Sequence, residues 1–502
     1  MTSISKQAAR FAAGFRVRLD PSAMTSADGK VLIGGSPREA LRLDDRASEL
    51  LEGLAHGEPL LVTESNRQVA RALLEHGALQ PVPAGKDDRA NKVTVVIPVH
   101  DHAEHLARLL GNRDAFVGVA KIVVVDDGST DPSSVPTQCA RASHLPVQVI
   151  RNDDAQGPAA ARNLGAAHVT TEFIVFVDAD CQPEAGWLGP LLEQFDDDAV
   201  AAVAPRLRAS RPARPEVASR RGALSTKLLD SLLAFELELG PLDRGPAPSI
   251  VGPGRPLSFV ATAALAVRRE VWDAVGRFDP TLRFGEDVDF TWRLAVSGWT
   301  VRYEPSSVVR HELRNGPREM IVQRYEYALP AASLAARHPG SFTPLRVEIP
   351  NAAAWTLAGV GYPWLAGAVA GTHLVASGQQ MHSLGFTWPQ VLRSRLRDQL
   401  YDGAHLARAM RRDLWPLSFV LCVAFRRFRL MAIVAAVVPP LLDWRRRKPS
   451  TSAPAWVALC LADGIVHGAG IWTSCLRARR LSALRPVWAA PPAAEAVQLD
   501  AR

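Results

Sequence analysis

The stretch Phe173-Ile174-Val175-Phe176-Val177-Asp178-Ala179-Asp180-Cys181 constrains the fold of this chain more than any other. Five consecutive apolar residues, three of them β-branched, fit a strand buried on both faces of a parallel sheet. Asp178 and Asp180 follow at its C-terminal end, on the same side of an extended backbone. In open α/β sheets, ligands bind in the crevice beyond the carboxyl ends of the strands. Two hard oxygen donors there suit Mg²⁺ or Mn²⁺ shared with a substrate phosphate. In isolation, such a pair reads more plainly as a solvated turn.

The surrounding sequence repeats the strand–helix alternation. Val93 to Ile97 fits a buried strand closed by Pro98, and a helix is expected around Glu104 to Leu110. Lys121 to Val125 and Val147 to Ile150 fit further strands, and Pro158 opens a helix reaching Ala167. Repeated βαβ units imply a parallel sheet with right-handed crossovers. Two strands then end in acids, at Asp126-Asp127-Gly128-Ser129 and at Asp178 and Asp180, and could frame one crevice. Neither a G-x-G-x-x-G turn nor a Walker loop occurs, so a dinucleotide oxidoreductase or a P-loop ATPase fits poorly. Downstream, Leu257 to Val267 is expected as a strand and Arg269 to Val275 as a short helix. Glu286 and Asp287 fall in the first turn of a helix running to Ser297, where the helix dipole favours acids in any case. Val301 to Tyr303 and Ser307 to Arg310 fit two short strands, the second leading into His311.

At 502 residues the chain has room for two or three domains. Residues 1–80 read as a small winged-helix-like α+β module. In it Phe15 to Leu19 would pair with Val31 to Gly35 after a turn at Asp28-Gly29, and two short amphipathic helices follow. Such a unit could bind a peptide by adding a strand, or simply cap the next domain. Residues 81–92 read as a linker, 93–340 as the α/β domain, 341–485 as a helical apolar region and 486–502 as a disordered tail. Ala352 to Ala376 is apolar apart from His373 and long enough to span a bilayer. Leu414 to Leu442 is interrupted by Arg426, Arg427 and Arg429, and Ala455 to Leu476 contains Asp463 and His467. A buried core helix or a membrane-surface helix is the alternative for each.

The net charge of +7 gathers in C-terminal basic runs such as Arg445-Arg446-Arg447-Lys448, which fit the cytoplasmic edge of a membrane. No basic run interleaves with aromatics, which argues against nucleic acid. The five cysteines are odd in number and form no C-x-x-C, and Met1 to Asp20 lacks the apolar core of a signal peptide. A reducing cytoplasm is the expected setting.

With these pieces in order, the region from Val93 to His311 resembles the family 2 inverting glycosyltransferases with a GT-A fold. The matching segments are Val96-Ile97-Pro98, Asp126-Asp127-Gly128-Ser129 and Gly157 with Ala161-Arg162-Asn163-Leu164-Gly165. Asp178-Ala179-Asp180, Gly276-Arg277-Phe278-Asp279, Gly285-Glu286-Asp287-Val288-Asp289-Phe290 with Arg293, and His311 complete the set. The resemblance implies a nucleotide-sugar-binding domain, a mostly parallel sheet flanked by helices, using a divalent metal. It implies that Asp126 or Asp127 contacts the uracil of a UDP-sugar, that Arg162 helps hold the nucleotide, and that Glu286 stands beside the donor. Asp178 would lie near the ribose, with Asp180 and His311 as metal ligands and Asp287 as the general base.

The whole layout also resembles the glycosyltransferases of the mycofactocin system of actinobacteria, the run Leu32-Ile33-Gly34-Gly35-Ser36-Pro37 being like peptide-binding modules of such pathways. That implies transfer of a hexose, glucose above all, to a peptide-derived redox cofactor, building a short β-glucan. A lipid or cell-wall glycan acceptor is the alternative, with membrane association through the C-terminal region, and a non-catalytic peptide-binding protein is the second alternative. The Q-x-x-R-W signature of processive synthases is absent, Gln323-Arg324-Tyr325 being a partial echo.

Overall fold

The computed structural model describes residues 10–35, 39–55, 57–83, 89–142, 144–212, 223–314, 316–489 and 497–498. Ser36-Pro37 of the module signature, residues 84–88 of the expected linker and most of the expected tail lie outside them.

The N-terminal unit comprises β1 (Arg16–Leu19), β2 (Met24–Thr25), β3 (Val31–Gly34), β4 (Glu39–Arg42), α1 (Asp45–Leu54), β5 (Leu60–Leu61), α2 (Arg67–Glu75) and β6 (Leu79–Val82). Leu50, Leu51 and Leu54 of α1 and Leu73 and Leu74 of α2 close over Val17 and Leu41 to make one small core. The expected pairing of the first strand with Val31 to Gly35 does not form. β1 lies between β5 and β6, while β3 lies between β2 and β4. The cause is local. Ser26 donates to Asp28 at 2.6 Å, and Gly29 at φ +70° closes a tight hairpin between β2 and β3. The module is tied to the next domain by a buried ion pair, Arg71 to Asp197 at 2.6 Å.

The central domain runs β7 (Val93–Val99), α3 (Ala103–Gly111), β8 (Lys121–Asp127), α4 (Ser134–Arg141), β9 (Val147–Asn152), α5 (Pro158–Ala166), β10 (Phe173–Val177) and β11 (Cys181–Pro183). It continues through α6 (Leu188–Glu193), β12 (Val200–Ser210), α7 (Ala223–Leu239), β13 (Ser249–Val251), β14 (Ala264–Arg268), α8 (Arg269–Val275), α9 (Glu286–Val296) and β15 (Thr300–Glu312). The sheet order is β9-β8-β7-β10-β14-β12-β15-β11, with β13 also on β15. β9, β8, β7 and β10 form the expected parallel half. The other half is mixed, because β14 runs antiparallel to β10 and β12, and β11 and β13 antiparallel to β15.

All five residues of β10 are fully buried, as a strand covered on both faces requires. One face packs on α3, α4 and α6, the other on α5, α8 and α9. The α5 helix approaches the sheet so closely at Gly165 that a Cβ there would stand 2.4 Å from Val96 Cγ1. Two expectations shift. The strand sought from Leu257 begins only at Ala264, leaving residues 257–263 as a loop at the crevice. The two short strands before His311 are one strand, β15, whose register against β12 slips after Glu304.

Beyond the sheet lie α10 (Pro317–Glu326), α11 (Ala331–Arg337), β16 (Arg346–Glu348), α12 (Ile349–Gly359), α13 (Pro363–Ser383), α14 (Trp388–Arg411), α15 (Trp415–Ala424), α16 (Phe428–Arg447), α17 (Ala453–Ala478), β17 (Val487–Ala489) and β18 (Val497–Gln498). Ala352 to Ala376 is not one spanning helix. Gly361 at φ +92° and Pro363 break it between α12 and α13. Among the described residues only α17 is long and apolar enough to cross a membrane. It instead packs within the bundle, burying Trp456, Cys460 and Cys475, with Asp463 paired to Arg324 at 2.5 Å. Two short pieces near the C-terminus pair as strands: β17 lies parallel to β16 in a two-stranded sheet, and β18 lies parallel to β4.

Candidate active site

The carboxyl ends of β8 and β10, the start of α9 and the end of β15 converge on one crevice. At the end of β8 the neighbouring acids part company. Asp126 is fully buried, accepting from the Ser129 amide at 3.0 Å and from the Arg151 guanidinium, and it lines neither cleft. Asp127 turns to the crevice floor. It accepts from Asn152 at 3.0 Å and from the Gln156 and Gly157 amides at 3.0 and 2.7 Å. Gly128, at φ +71°, is forced by this turn, since a Cβ would meet the Ala155 nitrogen at 2.6 Å.

Arg162, on α5, is the electrostatic hub. Its guanidinium is buried and donates to Asp178 at 2.5 Å and to Glu286 at 3.0 Å. Burial alone would lower its pKa, but Asp178 and Glu286 outweigh that and hold the cation above its ordinary range. Glu286 and Asp287 open α9 after Gly285, whose left-handed backbone (φ +81°) turns the chain into the helix. Burial raises the pKa of Glu286, opposed by Arg162. Asp287 is half-buried, and burial followed by the charge of Glu286 pushes it up to about 7.

The pairing of β11 with β15 sets Cys181 opposite His311 and brings His311 Nε2 to 3.6 Å from Asp180 Oδ1. That carboxylate oxygen is buried yet accepts no hydrogen bond. A buried anionic oxygen without a donor is costly, and it fits a cation ligand. Asp180, Cys181 and His311 have ligand atoms within 4.8 Å of one another. Cys181, however, donates its thiol to the Ala263 carbonyl at 3.3 Å, and burial holds its pKa well up, so it stays protonated. Asp180 and His311 are therefore the pair suited to a divalent ion.

Two cavities meet at these residues. The smaller, of about 880 Å³, is floored by Asp127 and Gly157, and the larger, of about 2510 Å³, holds Asp287 and His311. Arg162, Asp178, Asp180 and Arg314 line both. Residues of the N-terminal module, among them Arg18, Asp20 and Glu39, also border the larger cleft.

Several participants escape sequence reading. Arg151 and Asn152 secure the two acids of β8 from the neighbouring strand, and only an arginine at a sheet's carboxyl edge hints at it. Arg244 stacks on Phe259 at 4.6 Å and its charge favours the ionised form of Asp287. It sits in a loop with no readable pattern. Arg324, in the partial Q-x-x-R-W echo, is committed to Glu236 and Asp463.

A Glycosyl transferase family 2 model matches residues 94–250, and a Glycosyl transferase family group 2 model matches residues 247–462. A pre-mycofactocin glycosyltransferase of Mycobacterium tuberculosis is 34% identical over 492 residues, covering 95% of this chain and 99% of its own length. The succinoglycan biosynthesis protein ExoU of Rhizobium meliloti is 31% identical over 250 residues, 48% of this chain and 69% of its own. Among solved structures, the mannosyltransferase PcManGT from Pyrobaculum calidifontis, in complex with GDP-Man and Mn2+, matches at 19% identity and a TM-score of 0.37 over 75% of this chain and 86% of that one. The match to the M. tuberculosis relative runs almost from end to end, module and helical region included, and by it the chain belongs to the family 2 glycosyltransferases and is an enzyme of that class.

Proposed function

We propose that this enzyme moves a hexose, glucose, from a UDP-sugar to a peptide-derived redox cofactor of mycofactocin type, with inversion, building a short β-glucan. The observation that carries the acceptor is the near-complete match to a pre-mycofactocin glycosyltransferase. The N-terminal module's presence on the wall of the larger cleft supports it, since a peptide-derived acceptor would lie between the module and Asp287.

In this reaction the nucleotide occupies the smaller cleft above Asp127 and Gly157, and Arg162 fixes Asp178 beside it. Asp126 acts one step removed, holding the turn that carries Asp127. A Mg²⁺ or Mn²⁺ ion on Asp180 and His311 would supply positive charge to the departing diphosphate. Asp287 takes the proton of the acceptor hydroxyl, whose oxygen bonds to the anomeric carbon as the carbon–phosphate-oxygen bond breaks. One base and no enzyme nucleophile give a single displacement, through an oxocarbenium-like state. A base with a pKa of about 7 is matched to neutral pH. The reaction is cytoplasmic, where the five cysteines stay reduced.

The exposed apolar helices α15 and α16 favour a second reading, with a lipid or cell-wall glycan as acceptor. A panel of UDP-sugars offered with the purified cofactor precursor and, separately, with lipid extract separates the two by mass shift. A hexose added to the precursor with UDP-glucose supports the first. Transfer only into the lipid extract overturns it.

A further inference from the structure

α15 has no buried residue: Leu417, Phe419, Val420 and Val423 all stand in solvent, Phe419 at 64% exposure. On α16, Met431 and Ala435 pack into the bundle, while Leu430, Ile433, Val434 and Val437 form an outward stripe at helical spacing. Trp364, 91% exposed, and Leu365 extend the patch from the start of α13. The turn between α15 and α16 meets the start of α13, where Arg427 stacks on Tyr362 at 4.9 Å and hydrogen-bonds its hydroxyl. An apolar surface of this extent in water marks an interaction site.

Charge identifies the occupant. Leu414 to Leu442 contains Arg426, Arg427 and Arg429 and no acid. A second copy docked here through a two-fold axis would bring these arginines against one another. Anionic lipid headgroups complement them, while Trp364 and Tyr362 suit the headgroup boundary. α15 is ten residues long, about 15 Å of helix, too short for a hydrocarbon core of about 30 Å. The inner face of α16 is occupied by the bundle, so the patch lies in the interface and does not cross it.

We infer that α15, the outer stripe of α16 and the start of α13 form an interfacial docking face for an anionic bilayer leaflet. The inference is independent of which acceptor the active site uses.

The test is flotation of the full chain, exchanged from detergent, with phosphatidylcholine vesicles with and without phosphatidylglycerol. The wild type should float with the anionic vesicles and bind neutral ones at least about tenfold more weakly. F419D/V423D should lose binding to both, and R426E/R427E should lose the preference for phosphatidylglycerol. Both variants should retain transfer to a soluble acceptor in detergent, which shows that they fold and leaves the catalytic reading untouched. Failure of the wild type to float, variants that float like it, or a detergent-free dimer that F419D/V423D dissociates would each overturn the inference.

Discussion

Replacing Arg162 by Met tests the electrostatic construction of the crevice. The guanidinium bridges Asp178 at 2.5 Å and Glu286 at 3.0 Å, and it is buried. Removing one partner of a buried ion pair costs about 3–5 kcal/mol, because the remaining charge loses its compensation. Here one cation serves two carboxylates, so R162M should fall toward the upper end of that range. The loss is pH-dependent, with a definite sign. Burial already raises the pKa of Glu286 against the pull of Arg162, so without the arginine Glu286 would hold its proton more tightly when folded than when unfolded, and folding would be coupled to proton uptake. The gap between wild type and R162M therefore widens as pH rises and narrows as Glu286 protonates. Urea unfolding followed by tryptophan fluorescence between pH 5 and pH 8 reads this directly. A gap under about 1 kcal/mol at pH 8, or one that does not change with pH, refutes the assignment of Arg162 as the charge that holds this site together.

Two further predictions rest on neighbouring groups. As the proposed base, Asp287 must be ionised to accept a proton, and its pKa of about 7 puts the acid limb of the pH–rate profile there, with rate falling about tenfold per unit below it. E286Q removes a charge that raises Asp287, so initial rates across pH should show the limb moving to lower pH. Chelation should stop transfer and Mn²⁺ or Mg²⁺ restore it, and H311A should raise the metal concentration for half-maximal rate at least about tenfold, measured by metal titration of initial rates.

What the sequence makes legible follows from how local each signal is. Phe173 to Val177 can be read as a buried strand because five apolar residues need no distant partner to declare themselves. The acids at its end gain meaning only with Asp127, Arg162 and Asp287, which the fold gathers from β8, α5 and α9. The direction of β14 is not legible. Ala264-Leu265-Ala266-Val267 is buried on both faces and reads alike parallel or antiparallel. The pairing of β1 with β6 spans some sixty residues, and the strand that claims β3 instead, Met24–Thr25, is too short to show alternation. Likewise, the break at Gly361 to Pro363 is visible in the sequence only once helix breakers are weighed above hydropathy. The proximity of His311 to Asp180 depends on the register of β11 against β15, which three residues of β11 cannot announce.

The most direct measurement compares D287N with the wild type in two assays, hexose transfer to the acceptor by mass spectrometry and UDP-sugar binding by calorimetry with Mn²⁺ present. Loss of a general base should lower transfer by about 10²–10⁴-fold, with donor affinity almost unchanged because Asp287 lines the larger cleft and not the smaller one proposed for the nucleotide. Transfer within tenfold of wild type, or donor binding that collapses together with transfer, contradicts the account.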